Sequence, residues 1–167
     1  MNGLSVLSAA GVMADRAWRM TTTADFNGDG KADLVWRNET TGATAVWLMN
    51  GTGILAGATL MSSKDWRAVQ TGDFDGDGRS DIVWRNRTTG QTAMWLMNGL
   101  GYAAGGSLLT SVDWQPARVG NFNGDLGATG KPKQDLLWRN TKGAQHAVWL
   151  MNGTAMTAGA VVLTGAA

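Results

Sequence analysis

The sequence has no cysteine, one histidine, two prolines and few charged residues, and these shortages exclude several classes of protein. Without cysteine there is no disulfide, no zinc–thiolate site and no thiol nucleophile. Charged residues make up 16% of the chain, and the formal net charge is +1, so no basic surface for nucleic acid is expected. Apolar residues occur in short pieces, well below the ~20 that a membrane-spanning helix needs. We therefore expect neither nucleic-acid binding nor membrane insertion.

Glycine and tryptophan are abundant instead, and the tryptophans reveal an internal repeat. The 167 residues include 24 glycines and nine tryptophans. The first tryptophan of the repeat recurs every 48 residues, and the other two recur at steps of 48 and then 54, because the third unit carries a six-residue insertion. The nine tryptophans therefore fall in three repeated positions: Trp18, Trp66 and Trp114; Trp36, Trp84 and Trp138; Trp47, Trp95 and Trp149.

This period divides the chain into three units of one domain. Residues 18–65, 66–113 and 114–167 are predicted to be blade 1, blade 2 and blade 3, while residues 1–17 are the tail of an incomplete fourth unit. The opening "MNG" at residues 1–3 matches the "MNG" that closely follows Trp47, Trp95 and Trp149. Two interpretations of Met1 stay open: a repeat methionine inside a longer parent chain, or an ordinary initiator.

Each unit is predicted to contain four short β-strands. In blade 2 the apolar runs and turn residues place strands around Ala68–Thr71, at Ile82–Arg85, at Thr92–Met97 and near Ser107–Thr110. Four strands in about 48 residues are typical of a β-propeller blade, whereas the repeats of a β-solenoid, the main alternative, are usually shorter. The fold class is therefore all-β, with three four-stranded blades and one orphan outer strand near Gly11–Met13.

Three blades fall short of the four to eight that typically close a propeller ring. The ring is therefore expected to be completed by other chains or by a longer parent. Open sheet faces would expose apolar surface and favour association. The partner prediction that follows is self-association.

An acidic, glycine-rich box recurs in each unit: "DFNGDGKAD" (25–33), "DFDGDGRSD" (73–81) and "NFNGDLGATGKPKQD" (121–135). A catalytic acid pair is disfavoured because the boxes repeat with the scaffold and no nucleophile or base accompanies them; His146 is the only histidine. We therefore expect a protein that is not an enzyme. An EF-hand is excluded because its twelfth position, a glutamate, is Trp36 in the first box and Trp84 in the second.

The remaining alternatives are a compact calcium loop and a solvated Asp/Gly turn without an ion. Four carboxylates within nine residues repel one another, which favours the calcium loop with Ca²⁺ as cofactor. Oxygen ligands at positions 1, 3, 5 and 9, with a backbone carbonyl at position 7, can surround one hard cation. The predicted ligands are Asp25, Asn27, Asp29, the Lys31 carbonyl and Asp33 in the first box, and Asp73, Asp75, Asp77, the Arg79 carbonyl and Asp81 in the second.

The third box departs from this pattern. Asn121 and Asn123 replace acids, Leu126 replaces a glycine, and the insertion delays the closing acid to Asp135. With Asp125 it has only two carboxylates, so these four positions are predicted to bind calcium weakly or not at all. The second box is the most acidic and is expected to be the strongest site.

The sequence "DFNGDGKADLVWRN…TGATAVWLMNG" resembles the VCBS/FG-GAP-type repeat of bacterial extracellular proteins, which is related to the blades of integrin α-subunits and of integrin-like fungal lectins. The resemblance covers essentially the whole chain. It implies a calcium-bearing β-propeller that is secreted or lies on the cell surface. It also implies a non-catalytic role in adhesion, binding or display, but it identifies no partner. Glycans or other cell-surface ligands are the external partners that we expect.

Two functions stay open for this scaffold. The "WRN" segments could form equivalent sugar pockets, with a tryptophan ring stacked on a pyranose; the alternative, which we favour, is an inter-blade core with a turn-capping asparagine. A structural, self-assembling unit whose calcium loops serve stability alone is the second function. The residues of the sugar hypothesis are Trp36, Arg37, Asn38, Trp84, Arg85, Asn86, Trp138, Arg139 and Asn140.

Overall fold

The computed structural model describes residues 9–11 and 13–163, and this part of the chain folds into twelve β-strands. Blade 1 contains β1 Trp18–Ala24, β2 Asp33–Asn38, β3 Ala43–Asn50 and β4 Gly53–Ser62. Blade 2 contains β5 Trp66–Gly72, β6 Asp81–Asn86, β7 Gln91–Asn98 and β8 Gly101–Thr110. Blade 3 contains β9 Trp114–Gly120, β10 Asp135–Asn140, β11 His146–Asn152 and β12 Ala155–Leu163.

Each blade is one four-stranded antiparallel sheet whose strands follow one another in sequence order, β1-β2-β3-β4 in the first blade and likewise in the others. The prediction of an all-β chain with three four-stranded repeats is confirmed. Among the described residues no helix is long and apolar enough to cross a membrane.

The outer strand of each blade is longer than its sequence indicates. In blade 2 a strand was expected only near Ser107–Thr110, yet β8 begins at Gly101. The reason is the turn before it: Gly99 has φ +63°, and Asn98 pairs directly with Gly101, so the chain reverses within two residues. The glycine-rich stretch that follows looks like a loop in sequence, but it is held by its pairing with β7.

The orphan outer strand expected near Gly11–Met13 is not seen in the described part of this region. Residues 9–11 and 13–15 have no regular secondary structure, and the rest of the prediction lies outside the described residues. The sheet of blade 1 already has its four strands, β1 to β4, so an orphan strand before β1 would belong to a different blade.

The hydrophobic core lies between the blades. Phe26, Val35 and Val46 of blade 1 pack in one cluster with Ile82 and Trp84 of blade 2. A second cluster joins blades 2 and 3 in the same way, and it contains Phe74, Val83, Met94, Leu136, Trp138, Ala147 and Met151. Each blade therefore has two different faces, one carrying the loop phenylalanine, which is buried in blades 1 and 2, and the other carrying the buried tryptophan.

A glycine on each outer strand lies directly over a half-buried tryptophan of the neighbouring strand. A Cβ atom at Gly57 would approach Cδ1 of Trp47 to 2.6 Å, and one at Gly159 would approach Cδ1 of Trp149 to 3.0 Å. The same tryptophans contact the buried ones, with 5.3 Å between the ring centroids of Trp36 and Trp47. The glycines therefore let the outer strand close over paired indole rings that together fill the blade.

A buried aspartate opens the second strand of every blade. Asp81 is only 1% exposed; one of its oxygens accepts a hydrogen bond from the Phe74 amide at 2.8 Å, and the other accepts from the Met97 amide at 2.9 Å. The carboxylate thus joins the acidic loop to the third strand of the same blade. The equivalent bonds in the other blades connect Asp33 with Phe26 and Met49, and Asp135 with Phe122 and Met151.

Replacing this aspartate should destabilise the protein strongly. We expect Asp135→Ala to lower the free energy of unfolding by about 2–4 kcal/mol, because two backbone amides lose their acceptor. Chemical denaturation in the presence of a chelator measures this without any contribution from a bound ion. Asp113→Ala is the matched control: it removes an ion pair with Lys142, whose side chain is 77% exposed, and should change stability by less than about 1 kcal/mol. Equal effects of the two substitutions would contradict the role of Asp135.

Candidate metal centre

The loop between β5 and β6 is folded around the side chain of Asp73. One carboxylate oxygen accepts hydrogen bonds from the amides of Gly76 at 2.6 Å and Asp77 at 3.1 Å, and the other accepts from the amide of Gly78 at 2.8 Å. Gly76 and Gly78 have φ of +74° and +91°, a conformation that other residues rarely adopt. The glycines at loop positions 4 and 6 therefore let the backbone wind closely around this carboxylate.

Three carboxylates meet at the base of this loop. Ligand atoms of Asp73, Asp75 and Asp81 all lie within 4.8 Å of one another, and this is the one such cluster in the described part of the chain. Calcium–oxygen distances are about 2.3–2.6 Å, so oxygens on opposite sides of one ion lie up to about 5 Å apart. The all-oxygen donor set and its spacing therefore fit a calcium ion.

The electrostatics of the cluster point in the same direction. Burial, together with the smaller effect of the nearby charges of Asp75 and Asp73, raises the pKa of Asp81 to about 8, although two backbone hydrogen bonds oppose the shift. Burial, followed by the charges of Asp75 and Asp77, also raises the pKa of Asp73. Three negative charges at this place are thus unfavourable without a cation, which would relieve both the desolvation and the repulsion.

The fourth carboxylate of this loop, Asp77, is turned toward a basic side chain. It accepts hydrogen bonds from the amide and from the guanidinium of Arg79, both at 2.8 Å. The structure therefore brings together three of the four predicted carboxylates, with Asp77 in an ion pair beside them.

The loop between β1 and β2 has the same backbone design with less negative charge. Asp25 accepts from the amides of Gly28 and Gly30, each at 2.7 Å. Asn27 stands where the second loop has Asp75, and Asp29 pairs with the Lys31 ammonium at 3.0 Å. That hydrogen bond holds the pKa of the exposed Asp29 carboxyl below its usual value.

The third loop contains its own cation. The ammonium of Lys133 lies 2.8 Å from a carboxylate oxygen of Asp125 and 3.4 Å from the side-chain oxygen of Asn152. Asn121 binds the loop backbone as an aspartate would, accepting from the Gly124 amide at 2.6 Å, and Asn123 accepts from the Asp125 amide at 3.1 Å. Because the Lys133 ammonium already neutralises the Asp125 carboxylate, the electrostatic attraction of this loop for a metal ion is weak.

The insertion in the third loop also packs against the second loop. A Cβ atom at Gly76 would lie 2.3 Å from Cα of Gly127, so the two backbones touch where only glycine fits. The Thr129 hydroxyl donates to the Gly76 carbonyl, and the Gln134 amide donates to the Asp73 carbonyl at 2.7 Å. The second loop is therefore partly shielded from solvent, which contributes to the raised pKa values there.

The "WRN" residues lie mostly in the interior. Trp36, Trp84 and Trp138 are at most 6% exposed, so their ring faces are not open to a sugar. Asn38 caps the following turn by accepting from the Thr40 and Thr41 amides at 3.0 and 2.9 Å, and Asn86 and Asn140 cap their turns in the same way. This is the inter-blade core with capped turns that the sequence favoured.

The arginines of these segments differ between blades. The guanidinium of Arg37 donates to the carbonyls of Ser63 at 2.7 Å and Trp66 at 2.8 Å, so it binds the chain that enters the next blade. Arg85 donates to the carbonyls of Gly90 and Ser111. Burial lowers the pKa of both arginines. Arg139, by contrast, is exposed.

Two features of the site escaped prediction from the sequence. The carboxylate of Asp81, assigned there only as a metal ligand, also holds two backbone amides; its persistence as Asp135 in the divergent third box was the available signal. The pairing of Lys133 with Asp125 depends on how the insertion folds back, and sequence spacing alone does not show this.

Residues 25–84 match the family model described as the FG-GAP-like repeat. No curated protein and no solved structure matches the chain. The matched segment runs from the acidic loop of blade 1 to the buried tryptophan of blade 2, and blade 3 repeats the same strands and the same buried aspartate. Residues 25–84 are therefore similar to the FG-GAP-like repeat, within a chain that is built of three four-stranded blades.

Proposed function

We propose that this chain is a non-catalytic, calcium-stabilised module that binds partners outside the cell. The FG-GAP-like repeat and the stacked sheets are typical of a repeat module that presents surfaces instead of performing chemistry. Such repeats are typically extracellular, which supports secretion or display at a cell surface. Calcium then serves to hold the acidic loops, and the partner contacts the surfaces that the blades expose.

One observation carries the calcium proposal, namely the convergence of Asp73, Asp75 and the buried Asp81, whose ligand atoms lie within 4.8 Å of one another. Asp75 is the residue that separates a metal role from a structural role. Asp73 and Asp81 hold backbone amides and would be required in either case, whereas Asp75 accepts only one hydrogen bond, from the Asp77 amide at 3.1 Å. The first and third loops have asparagine at this position and keep the same bond.

Calcium should raise the melting temperature of the protein. For a site with a Kd of about 10⁻⁴ M, 1 mM calcium stabilises the folded state by about 1.4 kcal/mol, or roughly 3–6 °C in a chain of this size. Differential scanning calorimetry with calcium, with magnesium and with a chelator measures the shift. An unchanged melting temperature across the three conditions would contradict a calcium site.

The substitution Asp75→Asn should separate calcium binding from folding. We expect about tenfold weaker calcium binding, because the site loses one of its three charges. In chelator the same variant should melt at a higher temperature than the wild type, since the repulsion on Asp73 and Asp81 is reduced. Isothermal titration calorimetry and thermal denaturation measure the two effects.

The reciprocal substitution Asn27→Asp is the matched control. It places a carboxylate in the first loop where the second has one, and it should strengthen calcium binding there while lowering the melting temperature in chelator. If Asp75→Asn destabilises the protein equally with and without calcium, the carboxylate is structural and the loop is a solvated turn.

Carbohydrate is the ligand class that a second observation favours, although at a place other than the "WRN" segments. Clefts of about 260 and 360 Å³ open beside half-buried tryptophans, one lined by Trp114 and Trp149 and the other by Trp18 and Trp47. Indole faces beside small residues suit the apolar face of a sugar ring. In blade 2 the equivalent tryptophan, Trp95, is covered by Tyr102, with 4.6 Å between their ring centroids.

A glycan array tests this version directly. We expect binding of at least one glycan class in calcium, and its loss in the double variant Thr59→Arg, Val161→Arg, which places a long charged side chain in each cleft. Both positions are exposed, so the melting temperature should stay unchanged. An array on which no glycan binds would contradict carbohydrate recognition and leave the calcium proposal untouched.

A further inference from the structure

One face of blade 3 is apolar, and no described residue covers it. This end face consists of Phe122, Val148, Leu150 and Val162, which line a depression of about 440 Å³. Phe122 is 49% exposed and Val162 is 57% exposed. An exposed apolar patch of this kind points to an interaction surface.

The repeat shows what the equivalent faces of the other blades contact. Phe26 and Val46 of blade 1 and Phe74 and Met94 of blade 2 have no exposed surface, because the tryptophan-bearing face of the following blade packs on them. The phenylalanine face and the tryptophan face are therefore complementary surfaces, and the chain uses this pairing twice.

Backbone hydrogen bonds fix the register of that pairing. In the first seam the amides of Ser80 and Gly99 donate to the carbonyls of Asp25 and Phe26, at 2.6 and 2.9 Å. In the second seam the equivalent amides of Gln134 and Gly153 donate to the equivalent carbonyls of Asp73 and Phe74, at 2.7 and 2.8 Å. Each blade thus offers two carbonyls to the next blade and two amides to the one before it.

The two ends of the blade stack carry the carbonyls and amides that are equivalent to those paired in the two seams. Blade 3 offers the carbonyls of Asn121 and Phe122, and blade 1 offers the amides of Ala32 and Gly51. Within the described residues none of these four groups has a backbone partner of this kind. The tryptophan face of blade 1 is also less completely covered than its equivalents, since Leu34 is half-buried where Ile82 and Leu136 have no exposed surface.

We propose that the end face of blade 3 binds the tryptophan face of blade 1 in a second copy of this chain, in the register of the two internal seams. The contact is heterologous, so two copies can satisfy each other at both ends and close a ring of six blades. Six lies within the range of four to eight blades that propellers typically have. The interface needs no metal ion, so a result for or against it does not test the calcium proposal.

Cysteine cross-linking tests the register, because the chain has no cysteine of its own. A Cβ atom at Gly106 would lie 3.1 Å from Cβ of Thr154 across the second seam, and the equivalent positions at the proposed interface are Ala160 of one copy and Thr52 of the other. We expect a mixture of the single variants Ala160→Cys and Thr52→Cys to form a disulfide-linked dimer that contains one chain of each variant. The reason is that the two positions face each other if the interface has the same register as the internal seams.

Two controls accompany the mixture. The double variant Gly106→Cys, Thr154→Cys should form a disulfide within one chain, which verifies the geometry of the seam. Each single-cysteine variant alone should remain largely uncross-linked, because like positions do not meet in a heterologous contact. A mixture that cross-links no better than the separate variants would overturn the proposal.

The mass in solution provides an independent test that needs no cysteine. Light scattering after size exclusion should give twice the 17.6-kDa mass of the chain, and Val148→Asp should reduce it to the monomer. Val112→Asp, at a position that is 60% exposed outside the end face, should leave the dimer intact. Circular dichroism verifies that both variants keep their β-structure. A wild-type monomer at high micromolar concentration, or a dimer that survives Val148→Asp, would overturn the proposal.

Discussion

The fold depends on one interaction that recurs three times: a buried carboxylate at the start of each second strand that accepts two backbone hydrogen bonds. In blade 2, Asp81 binds the amide that opens the acidic loop and the amide of Met97 near the end of the third strand. The loop is therefore fixed to the sheet before any ion is considered. The remaining loop carboxylates can then converge, and the carbonyls on either side of Phe74 are presented to the next blade.

This arrangement carries an electrostatic cost. A carboxylate that must remain buried to hold the backbone is costly when charged, and the raised pKa of Asp81 expresses that cost. In the second loop the cost grows because Asp73 and Asp75 are close. In the third loop an ammonium from the same chain, that of Lys133, has been placed on Asp125. The two loops thus differ in local charge: the second brings three carboxylates together, whereas the third pairs a carboxylate with an ammonium.

Much of the fold could be predicted because the chain repeats itself. The spacing of the tryptophans gave the number of blades, and the turn residues gave the four strands of each. The length of β8 could not be predicted, since "GYAAGG" has no apolar alternation and becomes a strand only by pairing with β7. The sequence also does not show which tryptophans are buried and which are half-buried. That difference depends on the packing of the outer-strand glycines against the indole rings. In the candidate site the closeness of Asp73, Asp75 and Asp81 could be predicted from their spacing. The two backbone hydrogen bonds of Asp81 could not, because they depend on how the third strand folds back beside the loop.

The contact of Gly76 with Gly127 sets a condition on any blade that precedes the six-residue insertion. Position 4 of its acidic loop must be glycine, since a side chain there would meet the neighbouring backbone. The other two loops meet the same condition, with Gly28 at φ +77° and Gly124 at φ +76°. This contact therefore does not restrict blade 3 to one neighbour, and the insertion adds a contact between blades without fixing the order of the units.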